Sequence, residues 1–239
     1  MLKFLGKGGA FDAGTNSCAY FEYGNELYLL DVGENTFRVI KELIDNNDYK
    51  GVNVLITHTH ADHVNGLSTL CYYLFYIKNI PLVIKAHKDM AYSINYLLCI
   101  NGNTKDQYSI QELNCQTTIS NSLGNIHWHY VKTEHVDNLD CFGIYIAYKE
   151  NRIYYSGDSK SLPNEITYKI KEGKLTHYYQ DISLVHYNGN VHMSEKVFSE
   201  TVKPILEDKD VKVFFYHNSK YNPNKNINLG GIKNENIKY

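Results

Sequence analysis

The sequence of 239 residues lacks several features that would assign it to a particular class of protein. It has only four prolines, and no Pro/Gly/Ser-rich linker or repeat divides it, which predicts one domain over residues 1–239. No apolar run is long enough to span a bilayer, so we expect no membrane partner. Residues 1–6 are too short and too soon interrupted for a secretory signal. This predicts a protein of the cytoplasm, or of the host cytoplasm if the source is viral.

Positive charge is not in excess either. The chain has 24 Lys and Arg against 26 Asp and Glu, a formal net charge of -2. Proteins that bind nucleic acids draw heavily on basic side chains, so this balance predicts no stable nucleic-acid partner. A local basic patch is still compatible with this charge balance.

Cysteine is sparse and unpatterned, whereas tyrosine is abundant. The five cysteines show no CxxC pair, which argues against a disulfide framework or a cysteine-bound zinc ion and predicts that most are small buried residues. They are Cys18, Cys71, Cys99, Cys115 and Cys141. Most of the 22 tyrosines are expected in the core or at a subunit contact, with one or two against a substrate base.

Apolar patterning predicts strands and helices in two similar halves, which is typical of two packed sheets covered by helices. The predicted strands are 19–23, 26–31, 52–56, 82–86, 126–131, 142–148, 152–155, 181–185 and 211–216. The predicted helices are 36–44, a buried helix over 67–80, and 194–206 with Ser194 as its N-cap. The polar segment 101–121 predicts an irregular insertion, and the tail from Asn218 an extended segment.

The densest chemical signal is Thr57-His58-Thr59-His60-Ala61-Asp62-His63. Three imidazoles and a carboxylate within six residues are typical of a metal site. His58 and His60 alternate in a loop after a buried strand, so they can point the same way. Asp62 and His63 begin the next helix and can serve a second centre, so one loop can supply both halves of a dinuclear site.

This HxHxDH pattern between a strand and a helix resembles the metallo-β-lactamase superfamily, and the resemblance extends over most of the chain. It implies an α/β fold of the four-layer αββα sandwich type. It also implies ligands that follow later strands in a set order, which here are His135, Asp158 and His217. Asp31 matches the structural aspartate of the family, and Glu134 stands where a glycine is common, which leaves the local backbone geometry open.

The resemblance further implies two metal ions, most simply two Zn²⁺, with Mn²⁺ left open. The first ion would be bound by His58, His60 and His135, and the second by Asp62, His63 and His217, with Asp158 bridging them. Two such cations lower the pKa of a bridging water, so a hydroxide is available near neutral pH for attack on the substrate. Asp62 would orient that water and take up its proton.

Further residues indicate which branch of the superfamily the sequence resembles. Asp158 at the bridging position is unlike the dizinc β-lactamases, which have cysteine, and His60 is unlike the flavodiiron reductases, which have glutamate. Residues 191–194 and 215–221 resemble the ribonuclease Z branch, which processes transfer-RNA 3' ends and in which a histidine ahead of a helix contacts the scissile phosphate. The resemblance assigns that catalytic role to His192. Its imidazole would stabilise the phosphorane oxygens or protonate the leaving alkoxide.

Ribonuclease Z itself fits less well, because only residues 136–157 separate the third histidine from the bridging aspartate and leave no room for the arm that grips transfer RNA. Residues 8–11, 15–17 and 178–181 instead resemble the viral anti-Pycsar enzymes, which hydrolyse cyclic nucleotide immune signals such as cyclic CMP and cyclic UMP. This resemblance implies a homodimeric phosphodiesterase that converts a small-molecule 3',5'-cyclic mononucleotide to a nucleoside monophosphate.

Three alternatives stay open at this point. They are a ribonuclease Z-like endonuclease, a thioester or lactone hydrolase of the same fold, and a protein that sequesters a nucleotide without cleaving it. The complete ligand set argues against the last.

Overall fold

The computed structural model describes residues 1–11, 14–114, 117–184, 189–217 and 237–238. The chain separates into two compact units, each built around one sheet. The first is Leu2–Cys115 with Asn121–Leu123, and the second is Gln116–Ser120 and Gly124–Tyr239 with Met1. Among the described residues, no helix has both the length and the apolar character needed to cross a membrane.

The first unit contains a six-stranded sheet whose strands lie side by side in chain order. The first three strands are antiparallel, and the third to the sixth are parallel. Strands β1 to β6 are Lys3–Gly6, Cys18–Tyr23, Glu26–Leu30, Gly51–Leu55, Leu82–His87 and Ser109–Leu113. Helices α1 to α4 are Phe37–Asp45, Ala61–Val64, Leu67–Tyr73 and Lys88–Ile100. A π-helical turn over Leu74–Lys78 continues α3.

Local sequence accounts for the start of this unit. Gly24 turns the chain between β2 and β3 with φ of +64°, a conformation that glycine adopts without a steric penalty. In α1, Ile40 and Ile44 are one turn apart and fully buried, and each such side chain contributes about 1.5–3 kcal/mol through burial. The helix predicted over 36–44 is therefore confirmed, with Thr36 just before its first turn.

The second unit contains a seven-stranded sheet, again in chain order. Strands β7 to β13 are Thr117–Asn121, Gly124–Lys132, Phe142–Tyr148, Asn151–Tyr155, His177–Asp181, Lys212–Tyr216 and Ile237–Lys238. The pairs from β8 to β10 are antiparallel and those from β10 to β13 are parallel. Helices α5 to α7 are Asn164–Lys171, Glu195–Val197 and Lys203–Leu206, with a π-helical turn over Phe198–Val202 between the last two.

Aromatic side chains fill much of the core of this unit. Tyr154 and Tyr178 are fully buried with ring centroids 5.8 Å apart, and Phe198 lies edge-on to Phe215 at 5.0 Å. Such ring pairs add about 0.5–1.5 kcal/mol to the burial of their area. The expectation that tyrosines pack in the core is confirmed for these positions. So is the predicted cap, because the Ser194 hydroxyl accepts a hydrogen bond from the Val197 amide at 3.2 Å.

Several predicted elements were wrong. The strand placed over 181–185 ends at Asp181, because its parallel pairing with β10 and β12 sets it over His177–Asp181; residue 185 lies outside the described residues. Segment 101–121 is not irregular but contains β6 and β7. The helix over 67–80 leaves the α-helical form at Tyr73, and its end is exposed and not buried. Elements β1, α4 and α5 were not predicted.

Three of the five cysteines, Cys18, Cys71 and Cys141, are buried as expected, whereas Cys99 is exposed. Cys115 and the tail from Asn218 to residue 236 lie outside the part of the chain that the structure describes.

A buried histidine makes the stability of the second unit depend on pH. His177 begins β11 with its ring stacked on Phe214 at 6.1 Å, and burial lowers its pKa from the ordinary value of 6.5 to about 4. The folded state therefore holds the neutral ring, while the unfolded chain takes up a proton below about pH 6.5. The stabilisation is present above pH 6.5 and is lost as the pH falls towards 4.

We therefore expect the wild-type protein to lose more stability than His177→Gln between pH 7 and pH 4.5. The expected difference is on the order of 1 kcal/mol after solvent screening, measured as the free energy of unfolding in urea. His127→Gln, on a partly exposed position of β8, is the matched control. Equal pH dependence in wild type and His177→Gln would contradict the assignment.

Candidate metal centre

The histidine motif lies at the carboxyl end of the buried parallel strand β4. The Nε2 atom of His58 lies 3.0 Å from the Nδ1 atom of His60. Helix α2 begins directly after His60 and carries Asp62 and His63, with 3.4 Å between Asp62 Oδ2 and His63 Nε2. The predicted loop-to-helix change inside the motif is confirmed, and it places four donor side chains at one sheet edge.

Asp31 fixes the orientation of this motif. One carboxylate oxygen accepts the Thr57 amide at 2.8 Å, and the other lies 2.8 Å from the Thr57 hydroxyl and 2.9 Å from His63 Nδ1. A carboxylate accepts here, so His63 carries its proton on Nδ1, and Nε2 is the atom it presents to a cation. Asp31 is fully buried and thus takes the structural role expected of it.

The Thr57 hydroxyl fixes the tautomer of His58 in a similar way. Because this hydroxyl donates to Asp31, it accepts from His58 Nδ1 across 3.1 Å. His58 is thereby held in the tautomer whose Nε2 can bind a metal. Hydrogen bonds of this kind orient the ligands of metal sites and are commonly worth 10–100-fold in metal affinity.

Close packing of Gly33 fixes the backbone of the motif. A Cβ atom at this position would lie 2.0 Å from the carbonyl oxygen of Asp62 and 2.8 Å from Oδ1 of Asn16. The first of these atoms belongs to the backbone, so it cannot rotate away. We expect Gly33→Ala to cost about 1–3 kcal/mol of stability and to weaken metal binding by displacing Asp62.

Thermal unfolding and metal titration of Gly33→Ala would check this prediction. Gly14→Ala is the matched control, because a Cβ there would meet nothing within 4 Å. A Gly33→Ala protein as stable as the control, with unchanged metal affinity, would show that the Asp62 backbone is not held by this contact.

In the second unit, Asp158 is the centre of a cluster of histidines. It follows β10 after Gly157, which has φ of +59°, and it is 2% exposed. Its Oδ2 atom lies 3.4 Å from His217 Nε2 and 3.7 Å from both His135 Nε2 and His192 Nδ1. The structure thus brings together three residues predicted from separate strand ends, together with the predicted catalytic histidine.

His135 and His217 follow strands β8 and β12, as predicted. The Nδ1 atom of His135 donates to the Val191 carbonyl at 2.8 Å, so Nε2 faces Asp158 as an acceptor. Glu134, in place of the usual glycine, does not require a left-handed backbone, and its carbonyl accepts the Lys160 amide at 2.7 Å. The departure from the family pattern therefore leaves the His135 position intact.

Two residues of the site, the structural Asp31 and the predicted ligand His217, adopt backbone conformations that residues other than glycine rarely adopt. Asp31 has φ of +63° and His217 has φ of +59°, both in the left-handed region. Each follows directly after a strand, β3 and β12 respectively. Strain of about 1–3 kcal/mol per residue persists only where the surroundings impose it, and it is concentrated at functional sites.

Asp181 is a site residue that sequence analysis missed. Its Oδ2 lies 2.8 Å from His192 Nδ1, and its Oδ1 accepts the Ser159 amide at 3.0 Å. Burial raises the pKa of the Asp181 carboxyl, and the hydrogen bond to His192 opposes that rise. His192 is therefore not a helix cap or a solvent-facing residue; its side chain is 23% exposed and held by a buried carboxylate.

The donor set fits divalent metal ions. Two nitrogen ligands of one tetrahedral zinc ion lie roughly 3.3 Å apart when each Zn–N bond is about 2.0–2.1 Å, close to the 3.0 Å between the nitrogens of His58 and His60. In the second unit, the ligand atoms of Asp158, Asp181, His192 and His217 lie within 4.8 Å of one another. Imidazole and carboxylate together suit zinc and also manganese.

Comparison with known proteins identifies the family to which this chain belongs. A family model described as "Anti-Pycsar protein Apyc1" matches residues 1–230. The chain belongs to the Apyc1 family of anti-Pycsar proteins. An Apyc1 protein of Bacillus phage 010DV004 is 26% identical over 240 residues, covering 90% of this chain and 88% of the phage protein. A ribonuclease Z of Methanococcus maripaludis is 30% identical over 120 residues, covering 48% of this chain and 39% of that enzyme.

The fold is confirmed by a solved structure. The metallo-β-lactamase fold protein YhfI of Bacillus subtilis superposes with a TM-score of 0.71 at 15% identity, covering 92% of this chain and 86% of YhfI. The predicted metallo-β-lactamase fold class is therefore correct. Membership of the Apyc1 family and this fold make the chain a metal-dependent hydrolase, as the sequence predicted.

Proposed function

We propose that this Apyc1-family protein hydrolyses 3',5'-cyclic mononucleotides, such as cyclic CMP and cyclic UMP, to nucleoside monophosphates. Its role would be to remove a cyclic nucleotide signal of an antiviral defence. The observation that carries the proposal is the family match over residues 1–230, supported by histidine and aspartate clusters at strand ends in both units.

We propose that the histidine and aspartate donors bind two divalent ions, zinc or manganese. The first ion would be held by His58, His60 and His135, the second by Asp62, His63 and His217, and Asp158 would contribute to both. When bound, such ions polarise a phosphoryl oxygen and lower the pKa of a coordinated water. The tautomers of His58, His63 and His135 support this assignment. In each ring Nδ1 takes part in a hydrogen bond as the donor, so Nε2 is the nitrogen that can bind a metal ion.

The residues of the chain would then divide the proton transfers between them. Asp62 would orient the attacking water and accept its proton as the new P–O bond forms. His192 would donate a proton to the ribose oxygen as the ring P–O bond breaks, which gives a nucleoside monophosphate. Asp181 would position His192 by the 2.8 Å hydrogen bond to Nδ1, so that the other ring nitrogen faces the leaving oxygen.

A ribonuclease Z-like endonuclease is the second candidate, favoured by the 30% identity to the archaeal ribonuclease Z. Two observations disfavour it. The segment between His135 and Asp158 contains only a loop and the β9–β10 hairpin, and the formal net charge of -2 offers no general attraction for a polyanion.

The test is product analysis of the metal-loaded protein with cyclic CMP, cyclic UMP, cyclic AMP and cyclic GMP. A transfer-RNA precursor, a thioester and a lactone would be included as competing substrates. We expect nucleoside monophosphate from the wild type and none from a His58→Ala/His60→Ala double variant. Cleavage of the RNA alone, or of the thioester or lactone alone, would contradict the proposal and assign that reaction to the protein instead. Tight nucleotide binding without turnover would indicate sequestration.

A further inference from the structure

Strand β11 ends in a series of buried polar side chains that leads to the proposed proton donor. Tyr178, Gln180 and Asp181 lie at its carboxyl end and are fully buried. Residues 178–181 also form one of the segments that resemble the viral anti-Pycsar enzymes. Burying an amide or a carboxylate is costly unless its polar atoms are hydrogen-bonded. The partners of Gln180 and Asp181 therefore indicate what these two side chains do.

The side-chain amide of Gln180 turns its nitrogen towards three oxygen atoms. Nε2 donates to the Asp181 carbonyl at 2.8 Å and to Oδ1 of the same residue, and it lies 3.3 Å from the Ser159 carbonyl. Carbonyl and carboxylate oxygens accept hydrogen bonds, so the NH₂ group and not the oxygen of the amide has to face them. Because Nε2 contacts both the backbone and the side chain of Asp181, this one amide fixes the rotamer of the carboxylate.

The hydroxyl of Tyr178 sets the orientation of that amide. It donates a hydrogen bond to Gln180 Oε1. The two residues are two positions apart in the strand, so their side chains lie on the same face of the sheet. Burial raises the pKa of Tyr178 well above its ordinary value, so the hydroxyl keeps its proton and can donate. A flipped amide would lose this hydrogen bond and would present an oxygen to the Asp181 carboxylate.

The two oxygens of the Asp181 carboxylate have different partners. Oδ1 accepts hydrogen bonds from Gln180 Nε2 and from the Ser159 amide at 3.0 Å, whereas Oδ2 accepts from His192 Nδ1 at 2.8 Å. Burial raises the pKa of the Asp181 carboxyl. Donors on Oδ1 favour the ionised form, which is the form that can accept from His192. They also hold the plane of the carboxylate, so that Oδ2 is turned to the imidazole.

We propose that Gln180 is a positioning residue of this hydrolase, which acts through Asp181 to hold His192 at the leaving oxygen of the substrate. The inference rests on the proposed function, in which His192 donates a proton to that oxygen. Burial supports it, because the series begins with fully buried groups and ends at an imidazole whose side chain is 23% exposed. The buried part is locked by packing and hydrogen bonds, and the exposed ring is the part that can meet a substrate.

A glutamine needed only for the fold would slow every reaction at the site alike, whereas one that acts through a proton donor would slow selectively. The selectivity depends on the leaving group. Cleavage of cyclic UMP expels a ribose alkoxide, which needs a proton as the P–O bond breaks. Cleavage of bis(p-nitrophenyl) phosphate expels p-nitrophenolate, which is stable without one. The two substrates therefore separate the two roles.

The test compares both substrates in the metal-loaded Gln180→Met protein. This substitution keeps the length of the side chain and removes both of its polar atoms. We expect kcat for cyclic UMP to fall roughly 10-fold, the lower end of the usual effect of an outer hydrogen-bond partner. The KM for cyclic UMP, the metal content and the turnover of bis(p-nitrophenyl) phosphate should stay within about twofold of the wild type, because neither binding nor the metal ligands change.

A double variant tests whether Gln180 acts through Asp181. Gln180→Met combined with Asp181→Asn should be no slower than Asp181→Asn alone. Gln111→Met, at an exposed position of β6, is the matched control and should keep wild-type kinetics. Circular dichroism checks that each variant is folded. Tyr178→Phe removes only the hydroxyl that orients the amide, so it provides a second variant if Gln180→Met does not fold, and it should show the same selectivity with a smaller loss.

Equal losses on the two substrates would overturn the inference. So would a folded Gln180→Met protein with wild-type kcat for cyclic UMP, or a further loss in the double variant. If the wild type cleaves the transfer-RNA precursor and not cyclic UMP, the proposed function alone fails, because RNA cleavage also expels a ribose oxygen and the same comparison applies to it. A wild type that cleaves only the thioester would overturn both, since a thiolate leaves without a proton.

Discussion

Replacement of Asp158 by alanine is expected to lower kcat/KM for the proposed cyclic nucleotide hydrolysis by roughly 10³-fold or more. This carboxylate is nearly inaccessible to solvent, and its Oδ2 atom lies 3.4 Å from His217 and 3.7 Å from both His135 and His192. Removing it takes away the negative charge that the proposed site uses to hold two cations. We therefore expect the metal content to fall from the proposed two ions per chain to one or fewer.

The measurement combines steady-state kinetics with metal analysis by mass spectrometry. Asp158→Asn keeps the shape of the side chain and guards against a variant that fails to fold; it should lose activity to a similar extent. Asp137→Ala, in the exposed loop after His135, is the matched control and should retain both ions and full activity. Full metal content in Asp158→Asn, with activity close to that of the wild type, would remove Asp158 from the proposed site.

The second large effect is expected from His192→Ala, which should lower kcat by roughly 10²–10⁴-fold, the usual contribution of a general acid. Metal content should stay at the wild-type level, because the proposed ligand sets do not include His192. Asp181→Asn should have a smaller effect of about 10–100-fold, since it acts only through the position of His192. Its KM should change little.

Metal analysis separates two roles for His192. Its ring nitrogen lies 3.7 Å from Asp158, and it belongs to a cluster of donor atoms that could bind an ion. If His192→Ala loses an ion together with its activity, the residue is a ligand and not the acid. A kcat within about threefold of the wild type, well below the contribution of an acid, would exclude both roles. His127→Ala serves as the control for removing a partly exposed imidazole.

One dense local motif and the family resemblance together predicted most residues of the proposed site. The ligands of the HxHxDH motif lie within six residues, so strand, loop and helix follow from one short segment. His135, Asp158 and His217 were expected from the resemblance to the metallo-β-lactamase superfamily, in which further ligands follow later strands in a set order. Asp181 is the last residue of β11. The more apolar Ile182-Ser183-Leu184 after it led to a strand predicted over 181–185, which hid its place at a strand end. Only the pairing of β11 with its neighbours sets the register, and no local pattern contains that information.

The other errors have a related cause. Strand β6 is largely exposed, so its sequence shows no alternation of apolar and polar residues. Helix α4 fails for the opposite reason, because apolar side chains on two faces hide the period of the helix. Periodicity detects elements that have one solvent-exposed polar face and one buried apolar face. Strand β6 is largely exposed and α4 is apolar on two faces, so neither meets this condition.

The agreement between strand order and chain order has a consequence for synthesis on the ribosome. All six strands of the first sheet, with His58, His60, Asp62 and His63, are translated before residue 116. At 5–20 residues per second the remaining chain takes roughly ten seconds more. The first sheet needs no strand from the later half, so it can form while that half is still being made. The nascent protein would then hold four of its seven proposed metal donors in place, ordered by Asp31 and Thr57, before Asp158 is translated.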